Sequence, residues 1–261
     1  STLVNNRNGE IGGTDPRYVS FLNIDWNQIT NVLENLKDKE TYQGVGLLNF
    51  NDSEIDNWKQ LVPETEHVVL HLNYASTNIT WEDLYPEWID EEEEYEFPTC
   101  PSLPKIQVPG KPRLDLIAVK LPCNKSGRWS RDVARLHLQI EAARLAATSK
   151  GLRPVRVLFV TDCFPTPNLF TCKDIIRREG NVWLYEPNLH KLREKLQLPI
   201  GSIITSFLDH VLTLGSESHT KLFAYLPKID KASLLAEVIC EEYNFDGVGE
   251  SFFYIMCKFD V

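Results

Sequence analysis

The sequence lacks most of the motifs by which enzymes and membrane proteins are recognised. It has no run of about 18 or more apolar residues, so nothing in it predicts a membrane-spanning helix. It contains no glycine-rich dinucleotide fingerprint, P-loop, nucleophile elbow or zinc-protease motif. Its cysteines include no CxxC pair, which argues against a zinc ribbon or a thioredoxin-like site. These absences exclude the commonest nucleotide-binding, hydrolase and metal signatures.

Two glycine pairs and one acidic cluster come nearest to the missing motifs. Gly44-x-Gly46 lies at the start of a predicted strand and Gly247-x-Gly249 stands alone, so both are interpreted as turns. No Asp-x-Asp occurs, although sugar-nucleotide transferases commonly hold a divalent metal with that motif. The nearest match is Asp52-Ser-Glu54, and Ser53 with Asp56 is predicted to cap a helix instead. We therefore predict no catalytic residue and no metal ligand in this chain.

The net charge of -10 argues against nucleic-acid binding, because phosphate contacts require a basic face. The charge is unevenly distributed along the chain. Residues 1–112 carry 7 basic and 20 acidic side chains, whereas residues 113–156 carry 10 basic and 3 acidic ones. This basic block either attracts an anion, such as a sugar nucleotide or an acidic polysaccharide, or faces the acidic block. The second interpretation is favoured.

Four of the six cysteines lie in predicted loops beside prolines: Cys100, Cys123, Cys163 and Cys172. Disulfide bonds in an oxidising compartment and buried free thiols both suit such positions, and the sequence leaves the two open.

Three N-glycosylation sequons begin at Asn51, Asn78 and Asn124. About one or two are expected by chance in a chain of average composition, so the sequons permit a secretory location without requiring it.

The hydrophobic pattern predicts an α/β fold. Continuous apolar runs alternate with amphipathic segments, which is typical of a mostly parallel, Rossmann-like sheet with helices on both faces. The predicted strands are Gly44–Phe50, His67–Leu72, Leu114–Leu121, Val155–Val160 and Val182–Tyr185. Helix starts are predicted at Asp25 with Gln28, Ser53 with Asp56, Ser130, Thr171 with Asp174, and Asn188.

Two of these helices carry further expectations. The helix after Ser130 is predicted to run to about Ser149 with one apolar face. The helix after Thr171 is predicted to be short and to be closed by Gly180. Outside the regular elements, the six carboxylates between Asp90 and Glu96 predict a solvated connection.

Two places are candidates for chemistry. Asp162 directly follows a predicted strand, the favoured position for functional carboxylates in α/β sheets, although a turn residue is the simpler interpretation. His67 and His71 are four residues apart on a predicted strand and would share one face. Because no third ligand is evident, they are interpreted as strand-face residues rather than a metal pair.

Four stretches of sequence form an ordered set that resembles one plant family. They are YPEWIDEE from Tyr85, RLDLIAVKLPC from Arg113, WSRDVARLHLQ from Trp129 and KLQLPIGS from Lys195. The set is similar to the stem-side region of plant glucuronic-acid-substitution-of-xylan proteins, formerly called plant glycogenin-like starch initiation proteins, of glycosyltransferase family 8. The resemblance extends from about Asp15 to Ser202.

The resemblance implies a type II Golgi membrane protein with its anchor upstream of this chain and its domains on the luminal side. It implies transfer of glucuronate from UDP-glucuronate to xylan during cell-wall biogenesis. In the family, a core with a manganese-binding Asp-x-Asp follows the matching region, so no family catalytic residue is carried onto this chain. We expect no cofactor to bind it. UDP-glucuronate and xylan are expected partners only through the missing core, and Golgi proteins are further expected partners.

We therefore expect three segments: a disordered lead-in (residues 1–14), an N-terminal α/β domain (residues 15–202) and a divergent tail (residues 203–261). The tail departs from the family pattern, and both an altered gene model and a genuine alternative terminus explain it. The domain is expected to be accessory and inactive alone.

Two alternatives belong to other classes. A polysaccharide- or protein-binding α/β module is suggested by the basic block and by four aromatic residues, Trp81, Tyr85, Trp88 and Trp129. A degenerate methyltransferase-like enzyme rests on fold analogy alone.

Overall fold

A six-stranded sheet organises the computed structural model of the chain. Its strands lie side by side in the order β2-β1-β3-β4-β6-β5. In chain order they are β1 (Gly44–Leu48), β2 (Glu66–Leu70), β3 (Leu116–Lys120), β4 (Arg156–Val160), β5 (Ile175–Glu179) and β6 (Val182–Tyr185). The structure describes residues 15–34, 42–84, 101–108, 113–125, 131–149, 154–165 and 169–197.

Four neighbouring strands of this sheet are parallel. β1 pairs in parallel with β2 and with β3, and β3 pairs in parallel with β4. β6 then runs antiparallel to β4, and β5 antiparallel to β6. The predicted mostly parallel α/β fold is confirmed, with an antiparallel hairpin added at one side.

Two apolar layers cover the sheet, one on each face. Helices α1 (Trp26–Glu34) and α2 (Asp52–Leu61) contribute residues such as Ile29 and Trp58 to the first layer. The second layer is built mainly on α4 (Val133–Thr148), with α3 (Trp81–Leu84) and α5 (Leu189–Lys195) beside it. Helices therefore lie on both faces, as a buried parallel sheet requires.

The β5–β6 hairpin corrects one prediction. Thr171 and Asp174 form the predicted capping box, but only a single 3₁₀ turn follows before β5 begins. Gly180, with φ 55°, does not close a helix; it begins the two-residue Gly180-Asn181 turn of the hairpin. The helix prediction was wrong because the β-branched pair Ile175 and Ile176 favours a strand, and β6 supplies its partner.

The start of α2 corrects a second prediction. Asn51, rather than Ser53, caps this helix: its Oδ1 accepts a hydrogen bond from the backbone N of Glu54 at 2.9 Å, and Glu54 completes the capping box. Ser53 donates its hydroxyl to the same Asn51 oxygen, and Asp56 pairs with Lys59. The predicted cap Ser53 lies two residues after the observed cap.

The starts of α1 and α4 also differ in detail from the predictions. Asp25 accepts a hydrogen bond from the backbone N of Asn27, but the side chain of Gln28 instead accepts one from the backbone N of Asn181 at 3.3 Å. Asp132 caps α4 through the backbone N of Arg135, and the predicted cap Ser130 lies outside the described residues. The cap of α5 by Asn188 is confirmed.

Helix α4 is buried on all sides rather than along one apolar face. Every residue from Ala134 to Ala143 is buried. The extended segment 101–108 contacts its outer side, where His137 Nε2 lies 2.7 Å from Pro104 O and Glu141 Oε2 accepts from Ile106 N at 2.8 Å. The amphipathic prediction was wrong because a second layer of chain covers the helix.

Candidate functional site

The carboxyl ends of β1 and β3 form the place where an open α/β sheet usually binds a ligand. The chain leaves β1 for β2 on one side and returns to β3 on the other side. This reversal makes a topological switch point, and the crevice outside the strand ends is the favoured ligand site of such folds. What fills this crevice therefore decides what the domain can bind there.

An ion pair occupies the switch point. Lys120, the last residue of β3, places its Nζ 2.5 Å from Glu54 Oε1 at the start of α2, and the two side chains are only 7% and 13% exposed. The other carboxylate oxygen of Glu54 accepts from the backbone N of Asn51 at 2.9 Å. In a nucleotide-binding domain, the N-terminus of the helix after β1 would face a phosphate. Here the N-terminus of α2 faces the carboxylate of Glu54, a residue of the same helix.

Asn49 closes the same crevice from the end of β1. Its φ of 65° lies in the left-handed region, which asparagine tolerates better than most residues. Its Nδ2 donates to the backbone O of Tyr18 and of Lys120, each at 2.8 Å. The backbone at Tyr18 is therefore held across the strand ends, and Asn49 lies next to Lys120 of the ion pair.

The Gly44-x-Gly46 pair lies within β1, so its interpretation as a turn was wrong. A Cβ added to Gly44 would overlap the backbone O of Arg113. A Cβ at Gly46 would lie 3.0 Å from Leu70 Cδ1 and 3.2 Å from Leu114 Cδ1. These glycines permit close packing of neighbouring chain rather than contact with a phosphate, and Gly247-x-Gly249 lies outside the described residues.

A disulfide and a buried arginine join the loops that follow β3 and β4. Cys123 is bonded to Cys163, with their Cα atoms 5.7 Å apart. Cys172 is disulfide-bonded as well. For these three cysteines the disulfide interpretation holds and the free-thiol one does not, while Cys100 lies outside the described residues.

The guanidinium of Arg135, from α4, donates to the same two loops. Its acceptors are Pro122 O at 3.0 Å, Thr161 Oγ1 at 2.9 Å, Cys163 O at 2.8 Å and Phe164 O at 2.5 Å. Burial lowers the pKa of Arg135 to about 10, so the group stays protonated at neutral pH. The loops that carry catalytic residues in many α/β enzymes are here held together by internal bonds.

Asp162 lies outside this bonded cluster. It is exposed, and its Oδ2 lies 3.8 Å from Nζ of Lys125, with 42% and 66% of the two side chains exposed. Such an exposed ion pair contributes little to stability. Its position agrees with a turn residue better than with an acid or base.

His67 and His71 do not form the predicted shared face. β2 ends at Leu70, so His67 is in the strand and half-buried, whereas His71 follows the strand and is exposed. Within the described part of the chain, His67 Nε2 is buried without a hydrogen-bond partner. The same part contains no group of three or more His, Cys, Asp or Glu side chains arranged to hold a metal.

Four cations of the basic block are engaged inside the described part of the domain. Besides Lys120 and Arg135, Arg144 pairs with Glu141 at 3.2 Å and Arg156 with Glu186 at 3.0 Å. Of the carboxylate partners, only Glu54 belongs to the acidic block of residues 1–112. The interpretation that the basic block faces the acidic block was therefore partly wrong, because Glu141 and Glu186 come from other segments. These four cations are not available as an anion-binding face.

A small cavity of about 120 Å³ lies beside α5 and was not predicted. Lys173, Asp174, Lys191 and Lys195 line it together with apolar residues. The Asp174 carboxylate is already occupied by the amide and hydroxyl of Thr171. The 7-residue α5 is too short to add much dipole attraction to that of the lysines.

The remaining candidates are placed as follows. Trp81 is half-buried and packs against the apolar layer around α4, so it is not an open sugar-stacking surface. Tyr85, Trp88 and Trp129 lie outside the described residues.

The three sequon residues Asn51, Asn78 and Asn124 are all exposed. No helix in the described ranges is both long and apolar enough to cross a bilayer.

The fold defines a class: a doubly wound α/β domain, here with an internal ion pair at its usual ligand site. Sequence comparison supplies the family. The chain belongs to the family described as GUX1-5 N-terminal domain, whose model matches residues 16–203. The resemblance drawn from the four motif stretches is thereby confirmed.

Named relatives agree with this membership. The chain is 63% identical over 191 residues to the putative UDP-glucuronate:xylan alpha-glucuronosyltransferase 3 of Arabidopsis thaliana, covering 72% of this chain and 31% of that protein. It is 55% identical over 194 residues to UDP-glucuronate:xylan alpha-glucuronosyltransferase 1 from the same plant, covering 72% and 29%. With glucuronosyltransferase 2 the identity is 43% over 163 residues, covering 60% and 27%.

The chain thus spans less than a third of the length of these relatives. No solved structure matches it.

Proposed function

We propose that this chain is the N-terminal, non-catalytic domain of a plant enzyme that transfers glucuronate from UDP-glucuronate to the xylan backbone in cell-wall biogenesis. The observation that carries the proposal is the family match over residues 16–203, together with relatives named for this reaction. The domain would act as an accessory to a catalytic region and would be inactive alone.

The ion pair at the switch point supports the non-catalytic part of the proposal. Lys120, Glu54 and Asn49 bind one another at the strand ends where a sugar nucleotide would be expected. The described residues do not fit a manganese ion either, since they supply no group of three carboxylate, histidine or cysteine ligands. We propose that UDP-glucuronate, xylan and manganese are bound by the region of the full-length relatives that this chain does not match.

The Golgi lumen is the compartment we propose, with a membrane anchor upstream of the domain and other Golgi proteins as partners. Disulfides persist in oxidising compartments and are rare in the reducing cytosol. The Cys123–Cys163 bond and the bonded state of Cys172 therefore support a luminal location.

A transfer assay tests the proposed inactivity. The full chain is incubated with UDP-glucuronate, xylan oligomers and manganese, and a full-length relative serves as the positive control. We expect glucuronate transfer by the relative only. Turnover by the chain itself would show that it contains a catalytic site.

A chimera tests the accessory role. Deleting the matching region from the full-length relative should abolish glucuronosyltransferase activity in Golgi membranes, and inserting residues 16–203 of this chain should restore it. Full activity of the deleted protein would remove the accessory role. Failure of the chimera, beside an intact relative, would show that this chain does not serve as that domain.

A further inference from the structure

The turn that follows β2 carries the sequon Asn78-Ile79-Thr80, to which the proposed function assigns no role. The backbone N of Ile79 donates to Ser76 O at 3.1 Å, which closes a four-residue turn with Asn78 at its third position. Ala75, before the turn, is 3% exposed, and Ile79 packs against the apolar layer. Asn78 is exposed between these two anchors.

Contacts on both sides hold this turn in place. Before it, Arg17 donates to the backbone O of Ala75 at 2.5 Å and of Ser76 at 3.4 Å. After it, the backbone N and the hydroxyl of Thr80 donate to Asp83 Oδ2 at 2.7 and 3.0 Å. Within the described part of the chain, Asn78 makes one hydrogen bond, from its backbone N to Ser76 Oγ. Its side-chain amide takes part in no hydrogen bond there.

The other two sequons are engaged in the fold. At Asn51 the side-chain oxygen accepts from Glu54 N and from Ser53 Oγ, so the asparagine to be modified is itself the helix cap. The hydroxyl two positions later is hydrogen-bonded at both sequons, through Ser53 and through Thr80, so the asparagine side chain is what distinguishes them. Asn124 directly follows Cys123, which is bonded to Cys163. Native structure therefore competes with modification at Asn51 and Asn124 more than at Asn78.

We propose that Asn78 is the main N-glycosylation site of this domain. In the reaction, Asn78 Nδ2 attacks the anomeric carbon of an oligosaccharide carried on a lipid pyrophosphate. A C–N bond forms, the C–O bond to the pyrophosphate breaks, the pyrophosphate leaves with the electron pair, and the amide loses one proton to a base of the transferase. The domain accommodates the glycan because the turn already exposes this amide. The inference rests on the luminal location in the proposed function.

The test expresses the full chain in plant cells behind a secretory signal peptide. Glycans are removed with a peptide N-glycosidase in ¹⁸O-labelled water, and mass spectrometry then locates each labelled Asp. We expect label at Asn78 in most molecules and in a smaller fraction at Asn51 and Asn124. Absence of label at Asn78, or higher occupancy at either other site, would overturn the inference.

Matched variants make the assignment specific. Asn78→Gln should remove the mass of one glycan, whereas Asn51→Gln and Asn124→Gln should leave most of the glycan mass in place. Thr80→Ser keeps a hydroxyl both for the sequon and for Asp83, so it should retain the glycan. Because the signal peptide imposes entry into the lumen, failure at Asn78 would leave the proposed function intact, and that function is tested separately by the chimera.

Discussion

Arg135 shows how much one buried side chain contributes to this fold. It is 2% exposed, yet its guanidinium binds three backbone carbonyls and one hydroxyl in the loops after β3 and β4. Sequence pattern places Arg135 on a helix and cannot tell that the loops of two distant strands converge on it. Only the packing of α4 against those loops makes the arginine structural rather than available to a ligand.

Replacing Arg135 with methionine should lower the free energy of unfolding by about 3–5 kcal/mol, because buried carbonyls would lose their donors. Urea unfolding of the full chain measures the change. Arg193→Met is the matched control, since exposed Arg193 donates to a single carbonyl, Ala147 O. The control should lose less than about 1 kcal/mol. Equal losses in the two variants would contradict the assignment.

His137 connects the start of the domain to segment 101–108. A carbonyl only accepts, so His137 Nε2 donates to Pro104 O, and Nδ1 accepts from the hydroxyl of Tyr18 at 2.8 Å. The Tyr18 oxygen in turn accepts from the backbone N of Ala75. Burial lowers the pKa of His137, the Pro104 carbonyl opposes this shift, and Arg144 and Arg17 add to it.

The pH dependence of stability follows from this shift. The pKa of His137 is lower in the folded chain than its unfolded value of about 6.5, so the unfolded chain binds more protons below that pH. Stability should therefore fall as the pH decreases below about 6.5. His137→Gln, which offers a donor and an acceptor without titrating, should weaken this fall in urea unfolding at pH 7.5 and 5.5.

Two comparisons isolate His137. Burial raises the pKa of Glu141, one turn further along α4, which acts in the opposite direction, but this residue is unchanged in the variant. His190→Gln, at an exposed position, should keep the wild-type pH dependence. An unchanged pH slope in His137→Gln would refute the role of His137.

Elements were predicted best where local signals and tertiary partners agree. Val182–Tyr185 is a strand with the predicted bounds, and α5 begins after Asn188 as predicted. The helix predicted after Thr171 does not form. Its capping box is present, but the residues that follow pair with β6 as strand β5. Gly180-Asn181, directly before the apolar run Val182–Tyr185, was the available hairpin signal.

Gly180 allows a test of that hairpin. Its φ of 55° disfavours any residue with a Cβ, and an added Cβ would also meet the amide of Gln28 from α1. Gly180→Ala should destabilise the chain by about 1–3 kcal/mol, measured by urea unfolding.

A double-mutant cycle separates the two causes. In a Gln28→Ala background the clash is removed, so Gly180→Ala should cost less there than in the wild type. An equal cost in both backgrounds would show that backbone conformation alone requires the glycine.

At the scale of the whole molecule, the Cys123–Cys163 bond joins residues 40 apart in sequence and closes a loop that contains α4 and β4. Loop closure of this length corresponds to about 4 kcal/mol in the chain-entropy model. The double variant Cys123→Ser/Cys163→Ser should therefore lose about 2–4 kcal/mol in urea unfolding.

Serine substitution is preferred to chemical reduction in this experiment, because Cys172 is also disulfide-bonded and a reductant would act on it too. Addition of reductant to the double variant should then reveal any separate contribution of Cys172. Unchanged stability of the double variant would show that Arg135 alone suffices to hold the two loops.

The sequence by itself determined the α/β class, the family and the absence of the common nucleotide and metal motifs. These depend on local periodicity and on contiguous motifs, both of which are written along the chain. Tertiary structure alone decided that Lys120 and Glu54 pair at the switch point, that Arg135 is buried and that α4 is covered on its outer side. Each of these joins residues far apart in sequence, and such contacts arise from packing that no local pattern encodes.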